Sequence, residues 1–214
     1  LAEGIGFTPP PHQVYVIKPD SVAFEIYTDF AGENIIQGGG ASTGIVDFYS
    51  PESFNGSYAV FITGVPQYTA VNFDFKFNKD LTQLRTGNYA IDFWVKGDSP
   101  GSDFVVRFID TKTPDPDDHP WRMDYTVNSS KAPWDGQWHH VNIPLKSFTD
   151  VGSWDGAWFS STNSFDWKAV DRFQIVSEHM NFTGIQFWID NIQVTDRKDL
   201  SIPRILLKIK SGLK

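Results

Sequence analysis

Six of the eight tryptophans lie between Trp121 and Trp167, in a stretch rich in Gly, Asp, Pro and Ser. A tryptophan in a wet turn is costly unless something uses its flat face. The ring offers a broad apolar platform with an N–H at its edge and few rotamers to freeze. A sugar ring, with a C–H face and a rim of hydroxyls, suits such a platform. Pro133-Trp134-Asp135-Gly136 and Ser153-Trp154-Asp155-Gly156 place tryptophans in turns with little core to fill. Trp121, Trp134, Trp154 and Trp158, in or beside loops, are therefore the expected stacking residues, and two of the four are enough for a site. Two alternatives stay open. Residues 150–164 could fold over an aromatic cluster of their own, and Trp121, opposite in parity to Arg122 and Asp124, could be core. Trp138 and Trp167 read as packing. Trp94 and Trp188 oppose the parity of Phe93 and Phe187 and read as structural, beneath the N-terminal arm or the tail.

Polar groups supply the second half of a sugar site. Side chains alternate between the two faces of a strand. In 71–77 the alternation turns Val71, Phe73, Phe75 and Phe77 inward and Asn72 and Asp74 outward. In 104–110, Phe104, Val106 and Phe108 face in, and Arg107 faces out between Val105 and Ile109. In 121–127, Arg122 and Asp124 face out, and in 172–176 so do Arg172 and Gln174. If these four strands share a sheet, Asn72, Asp74, Arg107, Arg122, Asp124 and Gln174 form one surface. Planar amides, carboxylates and guanidinium groups bind paired hydroxyls well. Polar residues also face water on any half-buried sheet, so the pattern alone does not decide.

The elements that must hold these groups are strands. Runs at 24–27, 58–63, 70–77, 89–96, 104–110, 121–127, 138–143, 172–176 and 185–194 recur with Gly, Pro and Asp-Gly breakers between them. A short run at 13–17 reads as an edge strand and Gly38-Gly39-Gly40 as a loop. No long amphipathic helix precedes residue 200. The expected fold is all-β, a jelly-roll β-sandwich of two antiparallel sheets over residues 14–195. Residues 1–13 read as a linker and 196–214 as a basic tail or linker. The chain begins at Leu1 without Met, which suggests a mature form or a piece of something longer.

Composition narrows the function. Of 214 residues 40% are hydrophobic and 15% aromatic, ample for a core. A net charge of −8 argues against nucleic acid or an anionic membrane as partner. No cysteine is present, which removes disulfides, thiolate metal sites and cysteine nucleophiles. No apolar run approaches the ~18 residues of a membrane span. A glycoside hydrolase needs two carboxylates about 5–10 Å apart; Asp74, Asp124 and Glu178 are available, but their spacing singles out no pair. His139 and His140 point to opposite faces of a strand and make no metal motif. The segment Pro114–Pro120 lacks the spacing of a calcium loop and reads as a Pro-stiffened, solvated turn.

Four stretches resemble the jelly-roll carbohydrate-binding modules appended to bacterial cellulases and other glycan-degrading enzymes: Asn88–Gly97 (NYAIDFWVKG), Asp135–Leu145 (DGQWHHVNIPL), Phe165–Val176 (FDWKAVDRFQIV) and Gly184–Val194 (GIQFWIDNIQV). Phe54–Ala59 (FNGSYA) resembles the Gly-Ser turn that enters an early strand of such modules. The likeness covers roughly residues 50–195. It implies a secreted or cell-surface, non-catalytic, monomeric module that holds a linked catalytic or anchoring domain on polysaccharide. The best-matching relatives bind single β-glucan chains in a cleft on the concave sheet. The resemblance also implies a structural calcium at the position of Asp190, with other ligands from the early chain, Asp29 and Glu33 as candidates and Asp20 behind them, and from backbone carbonyls; such an ion would pin the first strand to the last. The alternative is that Asp190 only accepts a loop hydrogen bond.

The expected function is binding of a neutral plant-type β-glucan: cellulose chains, mixed-linkage glucan or xyloglucan. A protein-interaction or domain-packing module, and a small β-sandwich hydrolase or lyase, are the alternatives.

Overall fold

The computed structural model describes residues 22–196; the linker 1–13, the run at 13–17, Asp20 and all but the first residue of the tail fall outside them. Thirteen strands follow in order: β1 (Val22–Tyr27), β2 (Ile35–Gly39), β3 (Ile45–Ser50), β4 (Ala59–Thr63), β5 (Ala70–Lys79), β6 (Ala90–Gly97), β7 (Phe104–Asp110), β8 (Arg122–Val127), β9 (Trp138–Pro144), β10 (Thr149–Trp154), β11 (Trp158–Phe159), β12 (Val170–Val176) and β13 (Gln186–Thr195). Among the described residues, helix is limited to α1 (Thr82–Thr86) and a 3-10 turn at Leu145–Ser147.

All strand pairs are antiparallel. One sheet has the order β3-β4-β13-β6-β9, with β1 also on β13. The other runs β11-β10-β8-β7-β12-β5-β2. Alternation makes this a sandwich. Phe73 of β5 and Phe108 of β7 point inward and each meets Phe173 of β12 at a tilt, with centroids 6.1 and 5.2 Å apart. Phe93 of β6 and Phe187 of β13 meet Phe104 from the opposite sheet at 6.4 and 5.1 Å. The jelly-roll sandwich expected from the strand spacing is the architecture found.

Four strands escaped sequence reading. They are β3, β10, the two-residue β11, and β2, which was hidden by its glycines. Gly39 lies against β5, where a Cβ would sit 2.2 Å from the Ala70 carbonyl oxygen. A glycine is therefore what lets this strand pair, rather than a loop signal. Phe77 corrects another expectation: it is exposed, not core. The β5–β12 register slips between Val170↔Lys79 and Arg172↔Asp74, and β2 has no pairing beyond Phe75. The alternation of β5 breaks at that irregularity.

Asp110, at the end of β7, ties two loops together. Its Oδ1 accepts the Trp121 N–H and its Oδ2 the Asp166 N–H, both at 2.7 Å. Burial pushes its pKa up to about 7 against those two donors, and the charges of Asp118 and Asp166 add to the rise. Unfolded, it titrates near the ordinary carboxylate value of about 3.9. Its contribution to stability is thus fully present below about pH 4 and is lost as pH rises through about 7. In chemical denaturation, Asp110→Asn should gain stability relative to wild type as pH rises between those limits. A difference independent of pH would contradict this.

Candidate functional site

The four strands β5, β12, β7 and β8 are adjacent, and their outer faces share rows. One row carries Asn72, Gln174, Arg107 and Asp124, which are directly opposed in register. The next carries Asp74, Arg172, Ile109 and Arg122. The structure thus brings Asn72, Asp74, Arg107, Arg122, Asp124 and Gln174 onto one surface.

These groups are already bonded to one another. Arg107 Nε donates to Asp124 Oδ1 at 2.7 Å and Nη2 to Asp124 Oδ2 at 2.6 Å, with a further bond from Nη2 to Glu178 Oε2 at 2.9 Å. Arg107 is only 4% exposed. Burial works against its charge, but Asp124 and Glu178 outweigh that and hold its pKa above the usual value. Gln174 donates to Asn72 at 2.8 Å, and Arg172 pairs with Asp74. The carboxylates that a hydrolase would need are therefore engaged by arginines. Arg122 differs: its Nε is buried without a partner, and burial, then Arg107, lower its pKa.

Above this floor stands the β10–β11 hairpin. Trp154 and Trp158 are directly opposed, so both rings lie on one face. They are 56% and 52% exposed. Among the described residues neither is in contact with another aromatic ring, and Trp158 covers the Arg122 guanidinium at 5.9 Å. A register shift between Asp150 and Gly152 bends β10 against β8. At Gly152, with φ +98°, a Cβ would stand 2.3 Å from the Phe159 carbonyl oxygen, so only glycine lets β11 fold back there.

The segment between β7 and β8, read from sequence as a solvated turn, clamps this hairpin. Asp155, in the hairpin turn, accepts Lys112 Nζ and lies 3.0 Å from His119 Nδ1. Lys112, then His119, hold its pKa below the ordinary value. The His119 ring stacks on Phe159 at 3.5 Å.

Floor and hairpin enclose a groove of about 650 Å³ lined by Tyr68, Ala70, Arg107, Arg122, Trp154, Trp158, Gln174, Val176 and Glu178. A second hollow of about 370 Å³ is lined by Asp124, with Val105, Thr126, Thr149 and His179 around it. Sequence reading missed Tyr68, Ala70 and Val176, and named Glu178 only as a carboxylate available to a hydrolase. The first two flank the β4–β5 loop and the others the end of β12, and nothing local marks them.

Two of the four expected tryptophans are corrected. Trp134 is 5% exposed, packs on Phe104 and Phe187, and donates its indole N–H to the Ser102 carbonyl at 2.7 Å. Trp121 is 4% exposed, packs edge-on to His119 and donates to Asp118 at 3.1 Å. Turn sequences hold both, but the turns fold over the sandwich. On the opposite sheet, Trp94 stacks with Phe54 at 3.6 Å and Trp188 with Phe61 at 4.7 Å. Those tryptophans have aromatic neighbours, unlike the groove pair.

A family model described as Carbohydrate binding domain 30 matches residues 30–196. The chain belongs to carbohydrate binding domain family 30. Family 30 modules bind carbohydrate and are non-catalytic, so the hydrolase alternative falls. Similar solved structures include a family 30 module at 22% identity and TM-score 0.55, covering 83% of this chain and 87% of that one. Another is the family 30 module of a cellulosomal cellulase of Clostridium thermocellum, at 20% and 0.54, covering 84% and 95%. A third is a family 11 module from the same organism in complex with a β-1,3-1,4-mixed-linked tetrasaccharide, at 14% and 0.55, covering 84% and 99%. These likenesses show the shared fold. No protein of curated function matches the chain.

The calcium ligands expected in this family 30 module also accept backbone hydrogen bonds. Asp190 Oδ2 accepts the Phe54 and Asn55 N–H groups at 2.9 and 3.1 Å, and its Oδ1 the Asn191 N–H at 2.7 Å. Asp29 Oδ1 accepts N–H groups from Ser57 and Tyr58. Glu33 is exposed, with Asn34 as its hydrogen-bond partner. Backbone amides thus orient Asp190 and one oxygen of Asp29; calcium takes six to eight oxygens, and a carboxylate that accepts N–H bonds keeps further acceptor sites. No group of three or more His, Cys, Asp or Glu able to hold a metal occurs among the described residues.

Trp134→Ala should cost about 3–5 kcal/mol in urea denaturation by opening a cavity against Phe104 and Phe187. Trp154→Ala should stay within about 1 kcal/mol of wild type. Equal costs would contradict this division.

Proposed function

We propose that the groove binds a neutral β-glucan chain such as a cellulose chain, mixed-linkage glucan or xyloglucan. The observation that carries this reading is the pair Trp154 and Trp158: two exposed rings on one face, beside a floor of planar polar groups. Stacking on the indoles supplies apolar contact, and amides and guanidinium groups on the floor orient hydroxyls. The charges on the floor are largely paired within it, which suits an uncharged ligand. The mixed-linkage tetrasaccharide held by the family 11 module of the same fold supports the glucan class. The proposed setting is extracellular, secreted or at a cell surface, with the monomeric module holding a linked enzyme or anchoring domain on polysaccharide. Nucleic acid is no partner for a chain of net charge −8. Among the described residues no helix is long and apolar enough to cross a membrane.

Affinity electrophoresis tests the reading in native gels containing barley β-glucan, xyloglucan, hydroxyethylcellulose, xylan, mannan or no polysaccharide. Wild type should be retarded by one or more β-glucans, with Kd roughly micromolar to sub-millimolar and little dependence on salt. Trp154→Ala and Trp158→Ala should each weaken retardation about tenfold. Retardation by xylan or mannan alone would correct the glycan, and none in any gel would overturn the reading.

We also propose a calcium ion at Asp190 and Asp29, because the two carboxylates lie close enough for the charge of Asp29 to help raise the pKa of Asp190, after burial. Thermal melts should rise by about 5 °C or more with calcium relative to EDTA. Agreement within about 2 °C would overturn this.

A further inference from the structure

The two indoles share one face of the β10–β11 hairpin, so the next opposed pair, Ser153 and Phe159, shows the other face. β10 pairs with β8 only as far as Gly152, and the tip that carries the indoles has just its own two-residue ladder. Two short strands alone are marginally stable in water. The segment between β7 and β8 takes hold of the back face. The His119 ring stacks on Phe159 at 3.5 Å, with 24° between the planes. Ser153, which is buried, donates from Oγ to the Pro120 carbonyl at 2.8 Å. At the turn, Asp155 accepts Lys112 Nζ and meets His119 Nδ1 at 3.0 Å. The segment is itself fixed: Asp118 accepts the Thr113 N–H at 2.6 Å and the Trp121 indole N–H at 3.1 Å. Neither His119 nor Phe159 lines the groove.

We propose that His119 is a positioning residue of the glycan site: from behind the hairpin, together with Asp155, it sets the orientation of Trp154 and Trp158 without touching the ligand. The inference rests on the glucan-binding reading and deepens it, by placing a determinant of affinity outside the groove. His119 meets Phe159 with its face and Asp155 with its edge. Contacts in two directions fix the hairpin against both swinging and twisting. A hairpin free to swing would present its indoles in many orientations, few of which stack on a sugar, and binding would have to order it. A hairpin held from behind has already lost that freedom.

Calorimetric titration with a soluble mixed-linkage β-glucan oligosaccharide, run as a double-mutant cycle, tests this. His119→Ala should weaken binding about tenfold, and His119→Phe, which keeps the stack on Phe159, should stay within about threefold of wild type. Because His119 acts through the indoles, His119→Ala in a Trp158→Ala background should cost only about threefold more. The indole N–H signal of Trp134 in NMR shows that each variant keeps its core. Should His119→Ala lose that signal, Asp155→Asn, which alters only the exposed turn, carries the test and should weaken binding about threefold. If His119→Ala and Asp155→Asn bind as wild type does while Trp154→Ala does not, the positioning role is overturned and the groove reading stands. An equal loss from His119→Ala in both backgrounds also overturns it. If wild type binds no oligosaccharide, both fall together.

Discussion

A guanidinium sits nearly buried in the middle strand of the seven-stranded sheet, and the groove depends on how its charge is met. Arg107 is held by both oxygens of Asp124 on the neighbouring strand and by Glu178 from the chain that leaves β12. Bidentate pairing fixes orientation as well as energy. Losing one partner of such a buried pair typically costs about 3–5 kcal/mol, because the remaining charge is stranded. The same bonds join β7 to β8 and draw the segment carrying Glu178 toward the sheet, which sets one wall of the groove. A floor fixed by its own bonds needs little reordering when a ligand arrives.

The aromatic side of the site follows a similar logic by different means. The hairpin that carries Trp154 and Trp158 has little sheet of its own, since β11 is two residues long. Its position comes from a bulge at Gly152, from the Asp155 link to Lys112 and His119, and from the stack of His119 on Phe159. The Pro- and Asp-rich segment before β8 therefore positions the stacking residues without lining the groove. Exposed rings held this way offer apolar surface at small entropic cost to the ligand-bound state.

The parts of this arrangement differ in how far the sequence reveals them. Period-two alternation in β5, β7, β8 and β12 was enough to put Arg107, Asp124, Asn72 and Gln174 on one face, because the core parity of Phe73, Phe108 and Phe173 is unambiguous. Register, which sets who faces whom, follows from pairing between strands distant in sequence. Trp134 and Trp154 sit in near-identical Trp-Asp-Gly turns, yet one is core and the other is solvent-exposed. Only the position of the turn relative to Phe104 and Phe187 separates them. Tyr68 carries no local signal, because its place in the groove is set by the bond of its N–H to the Ser177 carbonyl, over a hundred residues away. The resemblance to carbohydrate-binding modules led to the right family.

The eight indole N–H groups offer the most direct test, because they report every tryptophan at once. In heteronuclear NMR with a soluble mixed-linkage β-glucan oligosaccharide, the account predicts that the indole signals of Trp154 and Trp158 shift in a saturable way. Those of Trp121 and Trp134 should stay in place, as should those of Trp94 and Trp188 on the opposite sheet. Shifts confined to Trp94 and Trp188, or no shift at any indole, would contradict it.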